Sequence, residues 1–246
     1  MKSGVVTGMS ISKQLLPVYN KPMIFYPIAT LLESGINEIL VITTVESQNQ
    51  FQLLLGDGSD WGIKLHYATQ KVPGGIAQAI TIAEEFIDNE PFALILGDNL
   101  FHGANLSKEL KPNLEGNGAH VFGVEVAEPQ RYGVLELDMG GNLISVEEKP
   151  QNPKSNLAMP GIYFFDGAAP GLVRMLEPSA RGELEITDLV KLYMFRNGVR
   201  VTRLAPGTTW MDMGTFDSLI EAGQYVRVIE KRQGITLGDP GMAERP

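Results

Sequence analysis

Phe92-Ala93-Leu94-Ile95-Leu96-Gly97-Asp98-Asn99 is a short apolar run that ends on a glycine, a carboxylate and an amide. A run of this length without polar alternation reads as a strand buried on both faces. Two further runs read the same way, Glu38-Ile39-Leu40-Val41-Ile42-Thr43 and Ala119-His120-Val121-Phe122-Gly123-Val124. Helical spacing fills the gaps. Residues 27–34 carry apolar side chains at that spacing, and Gly35 suits a C-terminal stop. Residues 76–87 form a second amphipathic stretch, ending at Asp88-Asn89. Strands alternating with helices predict right-handed βαβ units, a parallel sheet and an α/β fold. Such sheets bind ligands outside the carboxyl ends of their strands. Asp98 stands at that end.

The pattern changes after residue 125. Gly133-Val134-Leu135-Glu136-Leu137-Asp138 alternates, Met139-Gly140-Gly141-Asn142 signals a turn, and Leu143 to Glu148 reads as the return strand. Gly161 to Phe165 is one more strand. The second half therefore adds an antiparallel element to a mostly parallel, mixed sheet with helices on both faces.

Bulk composition narrows the function. The chain has 246 residues, 43% apolar and 20% charged, with a net charge of −9. An acidic chain does not hold nucleic acid by bulk electrostatics, so no nucleic-acid partner is expected. A polyphosphate ligand would need Lys, Arg or metal concentrated in one place. No stretch approaches 18 apolar residues, so no membrane span is expected. Met1 to Val6 lacks the apolar core of a signal peptide. There is no Cys, and the three His are scattered, so neither a thiolate site nor a zinc spacing exists. These features point to the cytoplasm.

Five constellations carry possible chemistry, each with a plainer alternative. Asp98 is placed to hold Mg²⁺, which takes one or two carboxylates plus substrate phosphates; it equally suits a turn in which its carboxylate bonds nearby backbone. In Trp210-Met211-Asp212-Met213-Gly214-Thr215, Asp212 could be a second metal carboxylate and Trp210 a lid on a ring. The same stretch also reads as a helix start, capped by Thr215 or Asp217. Ser12-Lys13-Gln14-Leu15-Leu16-Pro17 with Lys21 could offset phosphate charge or be a solvated basic face. Gln70-Lys71-Val72-Pro73-Gly74-Gly75-Ile76 opens a helix with free backbone N–H groups, and the Gln70 amide can pair with a pyrimidine edge. Glu147-Glu148-Lys149-Pro150 suits a sugar phosphate, or is a surface charge cluster.

Taken in order, these pieces resemble one family. Ser12 to Tyr19, Pro73 to Ala79, Leu96 to Asn99, Arg131 to Val134, Glu147 to Pro150, Arg181 to Asp188 and Trp210 to Thr215 are similar to the glucose-1-phosphate thymidylyltransferases, sugar nucleotidyltransferases of the bacterial dTDP-rhamnose and dTDP-sugar pathway. The resemblance runs from about Ser12 to about Gly234. It implies a Rossmann-like nucleotidyltransferase fold in a single domain over residues 1–234, with a nucleotide part to about 125, a sugar part over about 126–215 and a tail at 235–246. The implied reaction joins dTTP (or UTP) to glucose 1-phosphate with Mg²⁺, releasing pyrophosphate, in a homo-oligomer (dimer or tetramer). By matching motif, Asp98 and Asp212 would hold Mg²⁺ and Lys13 would contact phosphate. Gln14 and Gln70 would read the base, and Gly75 would let the nucleotide approach. Tyr132, Gly133, Glu148 and Tyr163 would line the sugar site. Lys149 and Arg181 would hold its phosphate, and Trp210 would close that side.

The sequence departs from the family at its start. The family opens with a strand and a loop of the form Leu-Ala-Gly-Gly-x-Gly-Thr-Arg-Leu, which wraps the triphosphate. Here Met1 to Ile11 precedes Ser12 with Gly4 and Gly8 but no Arg and no Gly-Gly pair. Losing one preorganised donor typically costs on the order of 100- to 1000-fold in rate, so a missing loop is a large change. Three readings follow: an active transferase, a catalytically impaired homologue that binds nucleotide or sugar nucleotide as a regulatory or partner subunit, or a chain altered at its N-terminus. Beyond Gly234 the sequence reads as a tail where longer members carry further helices, and Pro160 stands where a Thr often precedes the Gly-x-Tyr strand.

Overall fold

The computed structural model describes residues 12–72, 74–110, 118–196 and 198–242. The Met1–Ile11 segment, with Gly4 and Gly8, lies outside the described residues. The chain divides into two compact units that interleave along the sequence. The first comprises Met1–Thr69, Ile95–Lys111 and Pro206–Pro246; the second comprises Gln70–Leu94 and Pro112–Ala205.

In the first unit, Glu38–Thr43 forms the expected strand and pairs in parallel with Lys64–Thr69, Glu38 opposite Lys64. The intervening Gln48–Leu55 helix makes this a βαβ unit. The apolar spacing seen in residues 27–34 becomes the helix Phe25–Glu33, which buries Ile28, Ala29, Leu31 and Leu32. Gly35 ends it with φ 85 and an N–H donated to Leu32 O at 2.9 Å. Asn99–His102 pairs antiparallel with Thr209–Asp212, so residues far apart in sequence face each other: Asp212 opposite Asn99, Trp210 opposite Phe101. The long Phe216–Gln233 helix closes this unit. It buries Ala222 and Val226 against a core of Val18, Met23, Tyr26, Leu100 and Met213.

The second unit is built on a seven-stranded sheet. Ala119–Glu125 lies at its middle, antiparallel to Ile162–Phe165 on one side and parallel to Val199–Arg203. Leu157–Met159 bridges onward to the hairpin of Gly133–Leu137 and Leu143–Glu148. The Asp138 carboxylate fixes the hairpin turn by accepting from Gly140 N and Asn142 N, both at 2.8 Å. The α/β, Rossmann-like expectation holds, with a mixed sheet. Val199–Arg203 runs parallel to Ala119–Glu125, whereas Ile162–Phe165 and Leu157–Met159 run antiparallel to it, because the element after residue 125 folds back on Ala119–Glu125 itself. The helical stretch over 76–87 is two short helices, Gln78–Ile82 and Glu84–Ile87, parted at Ala83 where ψ reaches 0. It stops at Asp88 and Asn89, both left-handed. Val121, Leu135, Phe165, Leu189 and Val190 sit in this unit's core, where each fully buried large side chain contributes roughly 1.5–3 kcal/mol.

Candidate active site

The Phe92–Ile95 strand ends just before Gly97-Asp98, which open the Ile95–Lys111 stretch of the first unit, and the chain turns at once into Asn99–His102. Gly97 has no side chain where a Cβ would stand 3.1 Å from Gln14 Cγ. That close approach seats the Lys13–Leu15 turn beside Asp98. The turn is pinned from below, Ile24 N donating to Gln14 O and Met23 N to Leu16 O, both at 2.9 Å. Gln14 Oε1 accepts from Ser12 Oγ, and the Lys13 ammonium contacts Asp98 Oδ2.

The second acid arrives by strand pairing. Asp212 ends the Thr209–Asp212 strand opposite Asn99, and Met213 N donates to Asp98 O at 2.8 Å. Asn99 is 1% exposed. It donates from Nδ2 to Asp98 Oδ1 at 3.1 Å and accepts from Trp210 Nε1 at 2.6 Å, tying the indole to the carboxylate. A Cβ at Gly214 would stand 3.0 Å from Asp212 Oδ1, so this glycine leaves room for the carboxylate. Two carboxylates at the ends of paired strands form a hard oxygen donor set that fits Mg²⁺. Among the described residues no group of three His, Cys, Asp or Glu gathers as a metal cage. Substrate phosphates and water would complete the coordination. Lys21, read as a second phosphate lysine, is instead buried with Glu230 at 2.7 Å and Asn20 Oδ1 at 2.8 Å.

In the second unit, Gln70 Nε2 donates to Gln78 Oε1 at 2.5 Å and to Gly75 O at 3.5 Å. The turn that opens the helix is laced to a distant segment: Ala77 N donates to Leu184 O at 3.2 Å, and Leu184 N donates to Gly74 O at 2.8 Å. Gly75 has φ 92, and a Cβ there would stand 2.4 Å from Leu184 O. The chain's own backbone thus already requires a glycine here.

The hairpin places Gly133 opposite Glu148, with Lys149 N donating to Tyr132 O at 3.0 Å. Lys149 adopts φ 44, an unusual left-handed conformation for a lysine. A Cβ on Gly133 would meet Thr187 Cγ2 at 3.0 Å and Glu148 Oε2 at 3.6 Å. Arg181 grips the buried Glu185 in a fork, Nε to Oε1 at 3.1 Å and Nη2 to Oε2 at 2.8 Å. It also lies 3.2 Å from Glu183 and 3.6 Å from Glu148. Burial pushes the Glu148 carboxyl above the usual range; Glu185 adds to this, while Lys149 and Arg181 oppose it. Tyr163 is 3% exposed, its ring stacked on Phe165 within the sheet core. Glu148, Lys149, Arg181, Tyr132 and Gly133 thus come together around Thr187 and Glu185.

Three residues of these networks had no assigned role from sequence: Asn99, Glu185 and Thr187. Asn99 stands beside Asp98, and Glu185 and Thr187 stand in the same stretch as Arg181.

The sequence profile of the nucleotidyl transferase family matches residues 8–228. The chain belongs to that family. Within it, a glucose-1-phosphate thymidylyltransferase of Actinoplanes sp. is 52% identical over 229 residues, covering 93% of this chain and 76% of the relative. A solved structure assigned as a glucose-1-phosphate thymidylyltransferase of Bacillus anthracis, in complex with sucrose, superposes with a TM-score of 0.82 at 35% identity, covering 94% of this chain and 91% of the other. A UDP-glucose pyrophosphorylase complexed with UDP-glucose superposes with a TM-score of 0.73 at 26% identity, covering 89% of this chain and 91% of that one. For a nucleotidyltransferase, the first unit holds the acids and the lysine suited to phosphate and metal, and the second holds a cluster suited to a polar, phosphorylated sugar.

Proposed function

We propose that this nucleotidyltransferase is a glucose-1-phosphate thymidylyltransferase, converting dTTP and glucose 1-phosphate to dTDP-glucose and pyrophosphate. The observation that carries the reading is the pairing that sets Asp98 and Asp212 at adjacent strand ends with Lys13 against Asp98, in a chain about half identical to relatives of that name. The sugar phosphate oxygen attacks the α-phosphorus in line, the bond to the β-phosphate oxygen breaks, and pyrophosphate leaves. Positioning and charge neutralisation supply the rate. Mg²⁺ held by Asp98 and Asp212 would act as Lewis acid and template.

The remaining roles follow the chemistry of the side chains. Lys13 neutralises phosphate. Gln14 and Gln70 offer amides to the base, Gln70 by exchanging its bond to Gln78. Glu148 accepts from sugar hydroxyls, with Tyr132, Gly133 and Tyr163 shaping that site. Lys149 and Arg181 meet the sugar's phosphate. Trp210, fixed through Asn99, closes over the ring. A product of this kind feeds dTDP-sugar and dTDP-rhamnose synthesis. The family resemblance supports a homo-oligomer. No helix among the described residues is long and apolar enough to cross a membrane, and with no Cys in the chain a cytoplasmic site is consistent.

Pyrophosphate release from dTTP and glucose 1-phosphate with Mg²⁺ tests the reading. Asp98→Asn is expected to lower turnover by on the order of 1000-fold, because a metal carboxylate acts on the charge that develops in transfer. Turnover that survives this change rejects the metal assignment. A chain that binds dTTP in a calorimeter yet never releases pyrophosphate is a binder, not a transferase.

A further inference from the structure

Resting on the reading of Asp98 as a metal carboxylate, we propose that Lys13 is the stand-in cation of that site. Its ammonium occupies Asp98 until a polyphosphate draws it away, so a divalent cation is admitted together with phosphate and not alone. Both oxygens of Asp98 are engaged in the ligand-free chain, Oδ2 by Lys13 and Oδ1 by Asn99 at 3.1 Å. The Asp98 side chain is 15% exposed and that of Lys13 31%. Water screens the pair only in part. A divalent cation on the same oxygen would meet a positive charge at contact distance, which is strongly repulsive in a partly buried setting.

The exchange needs little motion. The Lys13–Leu15 turn is tied to Met23 and Ile24 through backbone bonds, so the backbone stays in place while the side chain swings. A lysine suits this task because its ammonium is a compact point charge with rotatable donors, whereas an arginine fork would hold the carboxylate by two bonds. The charges also balance. Lys13 and Asp98 neutralise each other without ligand; with ligand, the cation neutralises Asp98 and Lys13 neutralises phosphate.

The probe is Mn²⁺ binding to the full chain without nucleotide, followed by the electron spin resonance of the free ion. Lys13→Met is expected to bind Mn²⁺ more tightly than the unchanged chain, on the order of tenfold or more. Adding Asp98→Asn to Lys13→Met should remove the gain. Lys13→Gln, polar and of similar reach, repeats the measurement should the methionine variant fail to fold. Equal Mn²⁺ affinity in the unchanged chain and a folded Lys13 variant overturns the proposal. A gain that persists with Asp98→Asn shows the ion elsewhere and overturns it too. The metal assignment fails separately. If Asp98→Asn leaves Mn²⁺ binding in the presence of dTTP undiminished, Asp98 is not a metal ligand; if it lowers that binding while Lys13→Met gains nothing, only the stand-in role falls.

Discussion

His120 lies on the central strand of the second unit, 2% exposed, with its ring near those of Phe122 and Phe164. Nε2 pairs with Thr202 Oγ1 at 2.8 Å, while Nδ1 has no hydrogen-bond partner among the described residues. Burial, aided by Arg200, pushes its pKa down to about 4. In the unfolded chain a histidine titrates near 6.5. Between these values the unfolded state binds a proton that the folded state refuses, so stability falls as pH drops from about 6.5 to about 4. The loss is of order 3 kcal/mol. Urea unfolding at pH 7 and pH 4.5 reads it directly, and His120→Phe should flatten that part of the pH dependence. Gly75 is a second residue whose side chain, or lack of one, is dictated by long-range contact. Gly75→Ala would force a Cβ to within 2.4 Å of Leu184 O at a φ of 92, at a cost of about 2 kcal/mol or more. A melting temperature equal to that of the unchanged chain would contradict this. The contrast between Asp98 and Gly75 shows what a sequence can display. Asp98 follows an apolar run, and the rule that places ligands beyond strand ends singles it out. The backbone that crowds Gly75 lies 109 residues away on a loop with no periodicity, so no local spacing shows this contact.

At the scale of elements, the Phe216–Gln233 helix shows local and tertiary signals in agreement. Thr215 and Ser218 form a reciprocal cap, Ser218 N to Thr215 Oγ1 at 3.1 Å and Thr215 N to Ser218 Oγ at 3.0 Å. Asp217 sits in the first turn and Lys231 and Arg232 in the last, matching the helix dipole. Gly234 ends the helix in the left-handed conformation. Thr215→Ala should cost about 1 kcal/mol in urea unfolding, with Thr215→Ser close to unchanged. The cap also sets where Asp212 stands, three residues upstream. The stretch Trp210 to Thr215 could be read as a metal carboxylate or as a helix start. It is a helix start, with the carboxylate on the strand before it. The helix over residues 76–87 was visible from its apolar spacing, but its break at Ala83 was not, since alanine itself favours helix.

At the scale of the whole molecule, each unit is assembled from separate stretches of chain. Lys21 and Glu230, 209 residues apart, pair at 2.7 Å with side chains only 10% and 11% exposed. Glu230 also accepts from Leu237 N at 3.0 Å, so the segment after the last helix is docked through the same carboxylate. Lys21→Met leaves that charge buried without its cation and is expected to destabilise the first unit by roughly 3 kcal/mol. Lys21→Met with Glu230→Leu should recover most of the loss, and a double variant as unstable as the single one would show that the pair is not the cause. No local pattern marks Lys21 as the partner of Glu230, which is why its sequence context suggested phosphate binding.

The interleaving of the two units has a consequence for how the protein is made. The second unit draws on nothing beyond Ala205, whereas the first needs Pro206 onward to complete the core that Val18 and Met23 begin. On the ribosome, then, the second unit can finish while the other still waits, with Leu100 and Met23 lacking the cover that Met213 and Val226 later give. Asp98 likewise waits for Asp212. A chain released before residue 212 would lack the end of the strand that pairs with Asn99–His102 and the helix that covers Val18 and Met23, so the first unit could not close its core.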